Sequence, residues 1–123
     1  MSYTINYLED KKIVQVKIQG RVNFRVVQHY SIDAVKLAHD YNCKNYLIDH
    51  SNTKLEAGIY KIHTDGDALQ KFGFTSRDKI AIVISSDKKD AHLFEINDPN
   101  IKWSNFRYFN DDAKAFHWLE EDE

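Results

Sequence analysis

Residues 79–85, KIAIVIS, contain the longest apolar run of the chain, Ile80 to Ile84. Side chains on a strand alternate between its two faces, so an unbroken apolar run leaves neither face polar. A strand of that kind must be covered on both sides, as parallel strands are when helices flank a sheet. The run YLI at 46–48 repeats the pattern upstream. Together the two runs predict an α/β sandwich rather than an all-β or all-helical fold.

Upstream of both runs, YTINYL (3–8) and IVQVKIQ (13–19) alternate apolar and polar residues and are separated by the charged EDKK, which predicts an antiparallel hairpin. Gly20 and Arg21 end that pair, and Asn23 is placed to cap a helix whose inner face is Val27, Tyr30, Ala34, Leu37 and Tyr41. After YLI, Thr53-Lys54-Leu55-Glu56 has the spacing of a capping box opening a second helix, with Gly66 as a kink and Gly73 as its C′ residue. Ser86 or Asp87 caps a short third helix that stops at Asp98-Pro99. NFRYF (105–109) alternates as a last strand, and Asn110 caps a final helix that faces inward through Ala115, Trp118 and Leu119.

The predicted order is β-β-α-β-α-β-α-β-α, a five-stranded mixed sheet with helices packed on it. Residues 1–119 read as one domain and the acidic 120–123 as a frayed tail. Val14, Val16, Ile18, Leu47, Ile80, Ile82, Ile84, Ala115, Trp118 and Leu119 are expected in one continuous core.

Composition narrows the function classes. A formal charge of −2 with scattered basic residues argues against a nucleic-acid footprint. Four glycines and one proline leave little room for a phosphate-cradling loop. The single cysteine, Cys43, excludes an internal disulfide and a multi-cysteine zinc site, and its place near a helix C-terminus is not that of an activated thiolate. MSYTINYLEDKK reaches charged residues before an apolar segment forms, and no run approaches the ~20 residues of a membrane span. A cytoplasmic protein without a cofactor is expected.

Asp49, His50 and Ser51 are residues of the kind found in hydrolase triads. On a strand, however, His50 projects away from both neighbours, so nucleophile and base do not meet. The six histidines show no helical ligand spacing, and Asp65-Gly66-Asp67 lacks the spaced oxygens of a calcium loop. No catalytic or metal-binding set emerges. The aromatics are more numerous than a small core requires (Tyr 7, Phe 7, Trp 2), and Tyr3, Tyr7, Tyr60 and Trp103 are candidates for an interface or pocket.

The closing stretch, FNDDAKAFHWL (109–119), resembles the Phe-x-Asp-x-x-x-Ala-x-x-Trp-Leu ending of the SpoIIAA-like family, small bacterial proteins of the STAS superfamily akin to CRAL-TRIO domains. The element order is also similar along nearly the whole chain. The resemblance implies a SpoIIAA-like fold and a non-catalytic regulatory role exercised through a protein partner. The alternative it implies is a carrier or sensor of a small apolar, lipid-like ligand. Self-association as a homodimer is expected from the residues themselves, since YTINYL has no charge between Met1 and Glu9 to guard an edge and the surplus aromatics suit an interface. STAS regulators carry a phosphorylated serine in an Asp-Ser-Ser-Gly-Leu segment. Here Leu55-Glu56-Ala57-Gly58-Ile59 stands nearest to it and lacks that serine, which leaves Ser51 as the candidate phosphoacceptor, with Thr53 the other nearby hydroxyl.

Overall fold

The computed structural model describes residues 2–55, 71–75, 77–84, 106–109 and 111–121. Strands β1 (Ser2–Leu8) and β2 (Ile13–Val22) form the expected hairpin, in unbroken register from Ser2↔Gln19 to Leu8↔Ile13. The Leu8 carbonyl accepts from the amides of Lys11 and Lys12, and Lys12 takes a positive φ of 56° to re-enter the ladder. β2 runs on through Gly20, whose φ of 95° suits glycine, so the strand outlasts the stop expected there.

Helix α1 (Phe24–Asp40) follows at once. The Asn23 side chain accepts from the Val26 amide at 3.0 Å, the cap expected from the sequence. Strands β3 (Asn45–Leu55), β4 (Lys79–Ile84) and β5 (Phe106–Phe109) are parallel to β2, giving the sheet order β1-β2-β3-β4-β5 with β1 at one edge. Helix α2 (Asp112–Glu120) closes the described fold. Residues 56–70 of the second helix predicted from sequence and all of the third, with Glu56, Gly66, Ser86 and Asp87, lie outside the described residues. Lys71 and Phe72 are helical and Gly73 follows with φ 110°, as a C′ glycine would.

The run at 80–84 divides as its period dictates. Ile80, Ile82 and Ile84 enter the layer beneath α1, with Val14, Val16, Ile18, Tyr46, Ile48, Tyr30 and Ala34. Ala81 and Val83 enter the layer beneath α2, with Ile13, Leu47, Ala115 and Leu119. The single core expected from sequence is therefore two cores separated by the sheet, because alternate strand residues cannot reach the same side. Trp118 is only half-buried at the rim of the second.

Two boundaries of α2 also differ. Asp111, not Asn110, is the cap, its carboxylate accepting from the amides of Ala113 and Lys114 at 2.6 and 3.2 Å. Glu120 is still helical, and its carboxylate pairs with Lys11 at 3.3 Å. Lys79 Nζ donates to the carbonyls of Trp118 and Glu121 at 3.0 and 3.2 Å, a cation on the negative end of the helix, and also lies 4.9 Å from the Trp118 ring centroid.

Candidate functional site: the bulge in β3

The polar cluster at 49–53 sits inside β3. The strand was expected to stop after Ile48 and hand over to a helix capped by Thr53. Instead Gly20, Arg21 and Val22 of the longer β2 pair with Thr53, Lys54 and Leu55, and a paired backbone stays extended. Thr53 is thus no helix cap. Its hydroxyl donates to the His50 carbonyl at 2.8 Å.

Between the pairs Lys17↔Asp49 and Gln19↔Asn52 the register shifts by one residue. His50 and Ser51 together oppose Ile18, the arrangement of a β-bulge. A bulge takes an amide out of the ladder, and here the Asp49 side chain supplies the missing acceptor. Its Oδ1 accepts from the Ser51 amide at 2.9 Å and from the Ser51 hydroxyl at 2.6 Å. Had the helix expected from Thr53 formed, its positive end would stand beside Ser51 and favour a phosphate there. The next residues are strand, so that rationale for a phosphate at Ser51 does not apply.

His50 points the other way, as strand geometry requires. It is 1% exposed, with Nε2 3.0 Å from the Tyr30 hydroxyl and Nδ1 3.5 Å from Thr53 Oγ1. Each ring nitrogen thus has a hydroxyl oxygen within reach. Burial pushes the imidazole down to about 3, so the ring is neutral near pH 7. Asp49 and Ser51 lie on the α2 side, where Asp49 and Asp111 raise the Asp112 carboxyl beyond the effect of its own burial, against the opposing pull of Lys17. The three triad-type residues are split by the sheet, and no nucleophile–base pair forms among them.

The tyrosines of β1 are engaged with α1. Tyr3 donates to Asp33 Oδ2 at 2.9 Å and meets Tyr30 edge-on, with ring centroids 6.3 Å apart. Tyr7 stacks on Tyr41 at 4.0 Å. Tyr60 and Trp103 lie outside the described residues. A cavity of about 420 Å³ at the opposite end of the sheet from the bulge is lined by His39, Asn42, Lys44, Arg77 and Asp78 among others. Another of about 420 Å³ includes Tyr7, Glu9, Asp10 and Lys11. Half-buried Cys43 has one thiol proton to share between the Lys12 and Asn45 carbonyls, 3.2 and 3.4 Å from Sγ. Among the described residues no three His, Cys, Asp or Glu side chains converge as metal ligands would, and no helix is long and apolar enough to cross a membrane.

No family model matches the chain, and no curated protein matches it in sequence. Solved structures do. An anti-sigma factor antagonist from Mycobacterium paratuberculosis superposes with a TM-score of 0.61 at 15% identity, over 98% of this chain and 96% of that one. The anti-sigma factor antagonist SpoIIAA in its unphosphorylated form matches at 0.56 and 6% identity, over 98% and 100%. The chain has the SpoIIAA-like fold.

An uncharacterised DUF3478-family protein of SpoIIAA-like fold from Shewanella loihica PV-4 also matches, at 0.57 and 15% identity over 96% and 92%. The terminal motif that suggested this SpoIIAA-like fold has a physical role at each position. Asp111 caps α2, Ala115 and Leu119 are its buried residues, and the Phe109 and Trp118 rings meet at 5.7 Å. The bulge, by contrast, left no signal in the sequence beyond an aspartate two residues before a serine.

Proposed function

We propose that the protein is a non-catalytic, cytoplasmic regulatory module of STAS type that binds another protein through the surface around the β3 bulge. The observation that carries this reading is the end-to-end likeness of the chain to two anti-sigma factor antagonists. By that analogy the proposed partner is an anti-sigma factor. The site chemistry supports recognition over catalysis: Asp49 is committed to Ser51, and His50 is neutral and sealed beneath α1.

Ser51 is the hydroxyl through which this surface would be modulated. A phosphate on Oγ removes the proton donated to Asp49 and sets two like charges together, which loosens the bulge. An apolar ligand has less to hold it, because the two larger described cavities set charged side chains (Lys44, Arg77 and Asp78 in one, Glu9, Asp10 and Lys11 in the other) among their apolar ones.

The test is a titration of isotope-labelled protein with the anti-sigma factors of its own host. A stable complex with amide shifts concentrated at Asp49–Leu55 is expected. Absence of a complex with every candidate, and a spectrum unchanged at those residues, overturns the reading.

A further inference from the structure

Strand β1 ends the sheet without the features that guard an edge. Ser2–Leu8 contains no charge and no proline, and its register with β2 has no bulge. Natural edges are usually protected by one of these, since every second residue of an edge strand turns its backbone N–H and C=O outward. The sequence of β1 is also symmetric about Ile5. Tyr3 and Tyr7 are its outer aromatic positions, and Thr4 and Asn6 its inner polar ones. An antiparallel pairing of two such strands about a two-fold axis at Ile5 sets Ile5 against Ile5, Tyr3 against Tyr7, and Thr4 against Asn6.

The flanking helix carries the same symmetry. Ile32 and Tyr41, both on the α1 side of the sheet, are the described large hydrophobics left most exposed, at 40% and 49%. Ile32 adjoins Asp33, which holds the Tyr3 hydroxyl, and Tyr41 stacks on Tyr7. Placing Tyr3 beside Tyr7 of a second copy therefore brings each Ile32 toward the Tyr41 of the other chain. Charges agree with this register. Arg25 and His29 border Tyr3, where Asp33 is already bonded to the Tyr3 hydroxyl, while Glu9 and Asp10 border Tyr7, where Lys11 is already paired with Glu120.

We infer that β1 is a self-association surface whose occupant is a second copy of this chain, joined antiparallel through Ile5 so that the two sheets become one. Such isologous pairing satisfies both edges at once and closes, so it yields a dimer and not a fibre. The inference does not depend on the regulatory reading, and its failure would leave that reading standing.

Sedimentation over a dilution series tests it, with wild type beside the double variant Thr4→Glu/Asn6→Glu. Both side chains are exposed, and Thr4 stands opposite Lys17 and Asn6 opposite Gln15 in the hairpin, so the fold accepts glutamates there, but each glutamate faces another across the seam. The wild type is expected to be a dimer that dissociates on dilution, and the variant to raise the dissociation constant by roughly tenfold or more, with a melting temperature equal to that of the dilute, dissociated wild type. Ile32→Glu, outside the strand, is expected to weaken the dimer as well. A wild type that stays monomeric at every concentration overturns the inference, and so does a dimer that the double glutamate variant leaves intact.

Discussion

The Tyr30 hydroxyl and His50 Nε2 lie 3.0 Å apart beneath α1, each on a residue no more than 1% exposed. This polar contact ties the middle of the first helix to the bulge of the third strand. Buried polar groups must find partners, and a partner supplied by another element fixes where that element sits.

His50 makes stability depend on acidity. Its folded value near 3 lies below the ordinary 6.5, so between these values the unfolded chain binds a proton that the native protein excludes. Stability is therefore lost as pH falls from about 6.5 toward 3, by about 1.4 kcal/mol per pH unit from this group, and is unaffected by it above 6.5. Urea unfolding at pH 7 and pH 5 measures the slope. In His50→Leu that part of the slope should vanish, and an unchanged slope would show the histidine to be solvated.

Thr53→Ala should cost about 1 kcal/mol through the lost bond to the His50 carbonyl. Hydrogen exchange should quicken at His50–Thr53. A change confined to residues beyond Leu55 would restore the helix-cap reading.

Ile82 is fully buried and Trp118 half-buried. Ile82→Ala should cost about 2–5 kcal/mol. Trp118→Ala should fall below the roughly 3–5 kcal/mol of a buried aromatic, despite the larger side chain removed. Chemical denaturation of the two variants tests the ordering. A Trp118 variant at least as destabilised as the isoleucine one would place the indole deeper than the structure does.

Gly73 has φ 110°, and an added Cβ would stand 3.0 Å from Val35 Cγ1. Gly73→Ala should cost about 1–3 kcal/mol from backbone strain, with the contact against α1 adding to it. A thermal melt equal to wild type would refute this geometry.

Much of the fold was legible because local chemistry and tertiary position agree. The apolar run at 80–84, the alternation in the hairpin and the Asn23 cap each depend on a few neighbouring residues. The last cap was misplaced by one residue because Asn110 and Asp111 are both good caps, and the choice falls to where β5 releases the chain.

The candidate site was legible only in part. Alternation alone sent His50 away from Asp49 and Ser51, because that follows from the backbone of any strand. The length of β3 did not follow, since Thr53-Lys54-Leu55-Glu56 has good helix-start chemistry. The competing interaction comes from Gly20–Val22, more than thirty residues upstream in sequence.

By itself the sequence determined which residues are strands with two apolar faces, where the hairpin lies and how α1 begins, because these follow from periodicities and caps within a few residues. Tertiary structure alone decided that there are two cores, that β3 continues through Leu55, and that Asp49 serves Ser51 while His50 serves Tyr30. Those outcomes belong to hydrogen-bond partners supplied by other segments, and a backbone group accepts whichever partner the folded chain brings within reach.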